Sequence, residues 1–322
     1  MLNNSIKISV VIPTFNEEDN IKELITCIEN QTFPPDEIII CDGNSTDRTI
    51  EITKKLKKEL KNLKIVERIG KCRGAGRNSG IDQAKNNYIA LIDAGTKPNK
   101  NWLEQLKIPI EKNNEIQCVY GSVVPYIYNT FSRCMSTISI GKENKKGKII
   151  RSIASILITK NLWKVVGKFP ESSNNNFIVE DLIFLENIRK SGLNSTINSE
   201  AIVKWELPNS ISEVFTKFYI YFSGGLKSGH SKKYSTARNL FIYIFSIILS
   251  FYLNMYLLLL PFAFHSSRTL SYINKSYWVK KNNIFILFKN YIFVFFILMT
   301  VDLATYIGLI EYYLIRKWKK FQ

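Results

Sequence analysis

Short apolar runs alternate with amphipathic segments over residues 1–235. Four runs rich in β-branched residues, KISVVIP, DEIIICD, LKIVERI and YIALIDA, have the length and composition of strands. After the first run, Ile21, Leu24, Ile25 and Ile28 recur at helical spacing, and Asn16 is the predicted N-cap. The pattern predicts an α/β fold in which a mostly parallel sheet is covered by helices on both faces.

The C-terminal part of the chain has a different pattern. Residues 240–264 carry no charged side chain, and residues 290–310 carry only Asp302. Each segment is long enough to cross a bilayer, which takes about 20 residues, so two transmembrane helices are predicted. A buried pair of helices in a soluble protein is the alternative. An acid inside a membrane usually faces a partner or a cavity, and we expect this of Asp302. We therefore predict a catalytic domain over residues 1–235 and a membrane anchor over 236–322.

The chain is strongly basic, with 44 Lys and Arg residues against 27 Asp and Glu, a formal net charge of +17. Such an excess favours anionic partners, namely nucleic acid, a membrane surface or phosphorylated small molecules. Neither a Cys/His finger nor an aromatic RNA-binding box is present, so nucleic acid is not expected as a partner. Lysines and arginines flank the outer ends of both predicted spans. By the positive-inside rule, these ends and the catalytic domain are predicted to lie on the cytoplasmic face of the cell membrane.

Two common types of site are excluded by residue spacing. The glycine-rich segment Gly74 to Gly80 has one residue too many for a dinucleotide fingerprint, and it follows the third strand rather than the first. The five cysteines are scattered and never form a CxxC pair, which argues against a zinc site and against a disulfide framework.

Polar motifs follow the predicted strands at their carboxyl ends, where ligands bind in sheets of this kind. The first strand is followed by PTFNEE, the second by DGNSTDRT and the fourth by DAGTKP. In the second motif, Asn44 is an extra residue within the more usual sequence DGSTD. Further on, Glu180 and Asp181 begin an amphipathic segment. In this order the motifs resemble those of the family 2 inverting glycosyltransferases, which have the GT-A nucleotide-sugar-binding fold. The resemblance covers about the first 230 residues.

The resemblance implies a role for each motif. Asp181 corresponds to the general base that takes a proton from the acceptor, with Glu180 beside it. Asp93 would hold a divalent ion, Mg²⁺ or Mn²⁺, jointly with the donor's phosphates, because Gly95 stands where a second acid is usual. His230 is a weaker candidate for an additional metal ligand. The predicted contacts to the nucleotide-diphosphate sugar are Pro13, Thr14, Asn16, Glu17, Asp42, Arg73, Arg77 and Asn78.

Each assignment has a simpler alternative. Asp42 and Asp93 could serve only to form turns at strand ends, Glu180 and Asp181 only to begin a helix, and Arg73 or Arg77 could be a surface cation. The sequence as a whole predicts transfer of a single sugar to a membrane-proximal acceptor, such as a lipid-linked glycan. A polyprenyl-phosphate sugar synthase and a catalytically inactive membrane scaffold are the competing hypotheses.

Overall fold

The strands of the N-terminal part pair into one sheet in the computed structural model. The structure describes residues 6–67, 72–139, 151–171, 179–227, 229, 233–253, 256, 259–276, 279 and 283–318. Within these ranges the sheet has eight strands in the order β3-β2-β1-β4-β7-β6-β8-β5. The strands are β1 Ile8–Thr14, β2 Glu37–Asp42, β3 Leu63–Glu67, β4 Tyr88–Leu91, β5 Thr96–Pro98, β6 Cys118–Pro125, β7 Ile156–Thr159 and β8 Ser195–Trp205.

The sheet is mixed rather than mostly parallel. The first four strands are parallel, as predicted: β1 pairs with β2 and β4, and β2 pairs with β3. The later strands add antiparallel pairs, β4 with β7, β6 with β7 and β5 with β8. The carboxyl ends of β1, β2 and β4 therefore lie at the same edge of the sheet, where the polar motifs begin.

Helices cover both faces of the sheet, which confirms that prediction. The helices of this part are α1 Ile21–Glu29, α2 Thr49–Glu59, α3 Arg73–Gln83, α4 Trp102–Lys112, α6 Lys160–Val165 and α7 Glu180–Ser191. The apolar residues of α1 and α4 belong to the core on one face, and those of α3, α6 and α7 to the core on the other. In α1 the four residues at helical spacing, Ile21, Leu24, Ile25 and Ile28, are all buried.

The predicted N-cap at Asn16 is wrong. The cap position of α1 is Asn20, and Asn16 lies in the preceding loop with φ of 52°, in the left-handed region that Asn tolerates better than most residues. The side-chain oxygen of Asn16 accepts a hydrogen bond from the backbone N–H of Thr46, 2.8 Å away, in the loop after β2. This residue therefore ties two loops together instead of starting a helix.

The chain divides into two compact units. The first consists of Met1–Val124 and Ile149–Glu206, and the second of Pro125–Lys148 and Leu207–Gln322. The second unit thus contains residues that composition assigned to the catalytic domain. Its helices are α5 Thr130–Ser139, α8 Ile211–Lys227, α9 Lys233–Tyr252, α10 Leu259–Lys275 and α11 Ile284–Trp318. Helices α5 and α8 pack against α11, which explains why they group with it.

The first predicted transmembrane segment is not one continuous helix. Helix α9 ends at Tyr252 and α10 begins at Leu259, so residues 240–264 contribute to two helices. Among the described residues, two stretches are long and apolar enough to cross a membrane, Ser235–Tyr252 and Ile284–Leu314, and the second includes the predicted segment 290–310. Length and composition alone give weak support for membrane association.

Asp302 faces a partner inside the second unit, in accordance with the sequence prediction. Arg268 donates hydrogen bonds to both carboxylate oxygens, with Nη2 lying 2.9 Å from Oδ1. The Nδ1 atom of His265 lies 3.6 Å from the same carboxylate and 2.8 Å from the hydroxyl of Tyr243. Arg268 lies within α10, so its ion pair with Asp302 joins α10 to α11.

Candidate active site

The loops after β1 and β2 form one hydrogen-bonded network. The backbone N–H of Asn16 donates to the hydroxyl of Ser45 over 2.9 Å, and that of Glu17 donates to the hydroxyl of Thr49 over 2.8 Å. The buried Thr14 closes the network from the strand side, since its carbonyl accepts from the N–H of Gly43 at 2.8 Å. Pro13 lies opposite Cys41 in the parallel ladder. The predicted nucleotide-binding motifs therefore form one surface in advance of any ligand.

Asp42 lies at the carboxyl end of β2 and is buried. Its Oδ2 atom accepts from the backbone N–H of Ser45 at 2.9 Å, and its Oδ1 atom accepts from the Ser45 hydroxyl. Asn44, expected to be an insertion, has φ of 67° and makes the tight turn that brings Ser45 back to Asp42. A carboxylate has about four acceptor positions, so Asp42 retains capacity for an N–H donor from a base.

Arg77 is not a surface cation. It is on α3, its side chain is 3% exposed, and its guanidinium joins two carboxylates. The Nη2 atom lies 2.7 Å from Oδ1 of Asp93, at the end of β4, and Nη1 lies 2.9 Å from Oε1 of Glu180, on the first turn of α7. Burial by itself lowers the pKa of Arg77, but Asp93 and Glu180 outweigh it, and the net shift is upward. Arg77 is a permanent positive charge between two acidic motifs that are far apart in sequence.

Gly74 and two aromatic side chains surround the ion pairs of Arg77. A Cβ atom at Gly74 would lie 2.4 Å from the carbonyl oxygen of Pro170 and 3.2 Å from Cγ of Glu180, so only glycine permits the close approach of α7 to α3. The guanidinium carbon of Arg77 lies 5.4 Å from the centre of the Phe169 ring, which stacks on Phe184 at 3.9 Å. The sequence alone indicated no role for these aromatic residues, because they resemble ordinary core positions.

The side chain of Asn78 makes hydrogen bonds within the core, and this geometry does not support its predicted contact with the nucleotide-sugar donor. Its Oδ1 atom accepts from the Trp163 indole N–H and from the N–H of Phe169, both at 3.0 Å. Its Nδ2 atom donates to the Phe169 carbonyl at 2.9 Å and to Glu171 at 2.8 Å. Because an amide side chain offers two donors and two acceptors, all its capacity is used within the protein. Arg73, by contrast, is exposed at the start of α3.

Asp93 is a partly exposed carboxylate beside the buried cation Arg77. Its side chain is 39% exposed, and one of its oxygens accepts from Arg77. The neighbouring Gly95 leaves a gap, because a Cβ atom added there would meet no atom within 4 Å. Within the described ranges, no three His, Cys, Asp or Glu side chains come together as a metal site. These residues fit an ion such as Mg²⁺ that takes most of its ligands from water and phosphate, and they do not form an all-protein cage. His230 lies outside the described residues.

Asp181 follows Glu180 on α7 and differs from it in exposure. Glu180 is buried, with 3% of its side chain exposed, whereas Asp181 is half-buried. Burial raises the pKa of Asp181, the negative charge of Glu180 raises it further, and Arg77 opposes both. An accessible carboxylate with a raised pKa is suited to take a proton. The site therefore separates one buried acid from one reachable acid at adjacent positions.

Residues 9–163 match the family described as Glycosyl transferase family 2. This part of the chain is a family 2 glycosyltransferase domain. It includes the loops after β1, β2 and β4 and the Arg77–Asp93 pair, whereas α7 lies beyond the matched residues. The recognition of the family and of its fold from the strand-end motifs is thereby confirmed.

Relatives with assigned activities are similar over part of their length. The glycosyltransferase AglE of Haloferax volcanii is 28% identical over 51% of this chain and 56% of its own. A dolichyl N-acetyl-α-D-glucosaminyl phosphate 3-β-D-2,3-diacetamido-2,3-dideoxy-β-D-glucuronosyltransferase of Methanococcus voltae is 36% identical over 30% of this chain and 32% of its own. The chain thus spans about half, or less, of the length of these curated relatives.

The fold of the family 2 domain also occurs in a solved structure. The mannosyltransferase PcManGT of Pyrobaculum calidifontis, in complex with GDP-Man and Mn²⁺, aligns with 69% of this chain and 64% of its own at a TM-score of 0.50. Sequence identity in that alignment is 16%, so the likeness concerns the fold alone.

Proposed function

We propose that the protein is an inverting glycosyltransferase that moves a single sugar from a nucleotide-diphosphate sugar to a hydroxyl of a membrane-proximal, lipid-linked acceptor. The observation that carries the proposal is the charge arrangement at the carboxyl edge of the sheet. There the buried guanidinium of Arg77 joins the exposed carboxylate of Asp93 to Glu180, and the half-buried carboxylate of Asp181 follows Glu180 on α7. This arrangement suits a donor diphosphate on one side and an acceptor hydroxyl on the other.

The proposed reaction is a single displacement at the anomeric carbon. The acceptor oxygen forms the new bond to that carbon while the bond to the diphosphate oxygen breaks, and Asp181 takes the acceptor's proton. A positioned base of this kind contributes about 10²- to 10⁴-fold to the rate. The loops after β1 and β2 bind the nucleoside, with Asp42 accepting from the base. A divalent ion, when bound, would neutralise charge on the leaving diphosphate.

Metal dependence follows from Asp93 in this proposal. Because Arg77 already places a positive charge 2.7 Å from Oδ1 of Asp93, an added cation meets repulsion in the empty enzyme. The donor's phosphates offset that repulsion and supply further oxygen ligands. We therefore expect Mg²⁺ or Mn²⁺ to bind together with the nucleotide and only weakly without it.

The membrane-proximal acceptor and the location are supported by the second unit. Helices α9 and α11 are apolar, and many of their large side chains are exposed, including Phe241, Phe245, Phe285 and Phe288. The basic residues around them would place the family 2 domain at the cytoplasmic face of the cell membrane. A lipid-linked acceptor also occurs in the name of the Methanococcus voltae relative.

A donor panel tests the proposal. Membranes from an expressing host are incubated with UDP-, GDP- and dTDP-sugars, with Mg²⁺ or Mn²⁺, and release of the nucleoside diphosphate is measured. One donor class is expected to turn over, and the anomeric proton coupling of the product is expected to show inversion. Absence of both turnover and nucleotide binding would favour the inactive scaffold. Full activity of Asp181→Asn would favour the polyprenyl-phosphate synthase, whose phosphate nucleophile needs no base.

A further inference from the structure

We propose that Glu180 is a positioning residue for sugar transfer: through the buried guanidinium of Arg77, it holds the first turn of α7, and with it Asp181, in register with Asp93. The inference rests on the proposed function, because it assigns a role within the same reaction. It gives Glu180 a role of its own, distinct from that of Asp181, the predicted base.

The geometry makes Arg77 a link between two elements that lie far apart in sequence. The hydrogen bond to Asp93 spans 16 positions of the chain, and the one to Glu180 spans 103. Two different nitrogens of one planar group make these bonds, so the two carboxylates have a fixed separation and orientation relative to each other. A shift of α7 along the sheet edge would break the bond to Glu180.

Glu180 is packed into the contact between α3 and α7. Only 3% of its side chain is exposed, and its Cβ and Cγ atoms pack where Gly74 leaves space. One of its oxygens accepts from Arg77. A general base must come within hydrogen-bond reach of the acceptor's proton, and Asp181 is the member of the pair with the exposure to do so.

The buried ion pair of Arg77 and Glu180 is not an efficient way to stabilise the fold. In the described part of the chain, Nε of Arg77 and Oε2 of Glu180 are buried without a hydrogen-bond partner. Buried ion pairs with unsatisfied atoms often contribute less to stability than apolar side chains of the same volume. Alignment of Asp181 is a function that an apolar pair could not supply.

The test compares Glu180→Gln with Glu186→Gln in the donor assay. Both variants remove one negative charge from α7, but Glu186 lies on the solvent side of the helix, where it pairs with Lys190. We expect Glu180→Gln to lower kcat about 10- to 100-fold, since small misplacements of a reacting group have effects of this size. The donor KM and the nucleotide affinity are expected to stay within about twofold of wild type, because nothing in the nucleoside loops changes. Glu186→Gln is expected to match wild type in all of these.

A double variant separates positioning from direct catalysis. Because Glu180 acts through Asp181, Glu180→Gln/Asp181→Asn is expected to be no slower than Asp181→Asn alone. Arg77→Lys keeps the charge but cannot hold two carboxylates in a fixed fork, so it is expected to reproduce the kcat loss of Glu180→Gln. Should Glu180→Gln fail to fold, the kcat of Arg77→Lys provides a second test, in which the donor KM is not compared because Arg77 also bonds Asp93.

Four results would overturn the inference. The first is wild-type kcat in Glu180→Gln, the second a loss as large as that of Asp181→Asn, the third additive losses in the double variant, and the fourth a rise in donor KM with kcat unchanged. A failure of the proposed function would give different results from these four. Either the wild-type protein would release no nucleotide, or Asp181→Asn would remain fully active. Either of these two results would overturn the proposed function and the inference together.

Discussion

At the scale of single residues, the charges around Asp181 set the pH range in which the proposed base would be ionised. Burial and the negative charges of Glu180 and Asp93 raise its pKa, and Arg77 lowers it. The rate requires the ionised form, so activity is expected to fall with decreasing pH at a midpoint above about 3.9, the value of an ordinary aspartate. Removal of the Glu180 charge should move this limb of the kcat profile to lower pH. A limb that stays in place or moves upward in Glu180→Gln would contradict this assignment.

The same raised pKa has a consequence for stability. Because folded Asp181 holds its proton more tightly than the unfolded chain does, ionisation of this side chain costs stability as the pH rises. Asp181→Asn removes that cost and is expected to raise the Tm at neutral pH while abolishing most activity. The gain in Tm over wild type should shrink at about pH 4, where the wild-type side chain keeps more of its proton. Thermal unfolding at the two pH values measures the difference, and an equal gain at both would speak against a raised pKa.

Gly95 provides a test of the metal binding proposed at Asp93. An aspartate side chain fits at this position, since no atom lies within 4 Å of an added Cβ and the backbone is not left-handed. Gly95→Asp is expected to increase the affinity for Mn²⁺ in the absence of nucleotide by about tenfold or more, because a second carboxylate joins Asp93. Titration with Mn²⁺ measures the change, and Gly95→Ala is the matched control. Equal affinities in the two variants would show that position 95 does not face the ion.

The sequence identified single acids better than it identified their partners. Asp42, Asp93 and Asp181 could be predicted as site residues because each stands at or just after the end of a strand or at the start of a helix, which the local pattern shows. The pairing of Arg77 with Glu180 had no local signal, since the residues are 103 positions apart. Asn78 was misassigned because its motif gives no indication that the side chain turns toward Trp163 and Phe169.

At the scale of elements, the close contact between α3 and α7 builds the site, and two glycines of α3 test it. Gly74→Ala would place its Cβ 2.4 Å from the Pro170 carbonyl and push against Glu180. Gly76→Ala meets its nearest atoms at 3.8 Å, an ordinary contact distance. Both changes improve helix propensity by about 1 kcal/mol. We expect Gly76→Ala to retain activity and Gly74→Ala to lose kcat with a lower Tm, as measured in the donor assay and by thermal unfolding. Equal behaviour of the two variants would argue against a tight α3–α7 contact.

Element types followed from the sequence, whereas element boundaries depended on tertiary contacts. The parallel strands and α1 were predictable because their apolar periodicity is strong. The start of α1 was misplaced because Asn16 finds its partner in another loop, at Thr46. Residues 240–264 contain no charged residue and no glycine that would indicate where α9 ends and α10 begins. Hydropathy alone therefore predicted one continuous helix there.

At the scale of the whole molecule, the second unit joins apolar helices through a buried ion pair. Asp302→Asn would leave Arg268 without its charged partner, and breaking a buried pair on one side costs about 3–5 kcal/mol. A clear fall in the Tm of the detergent-solubilised protein is expected. Glu311→Gln is the matched control, because it neutralises an exposed acid of the same helix α11 and keeps an oxygen that can accept the hydrogen bond from Tyr219. If both variants unfold at the wild-type temperature, the pair does not contribute to the stability of this unit.

The central claim of the proposal is that the protein transfers a sugar with Asp181, on α7, as the base. Its most direct test is the rate of nucleoside diphosphate release by wild type and by Asp181→Asn, in the same membranes with the preferred donor. We expect the variant to be about 10²- to 10⁴-fold slower while binding the nucleotide with unchanged affinity. Equal rates for the two proteins would contradict the claim.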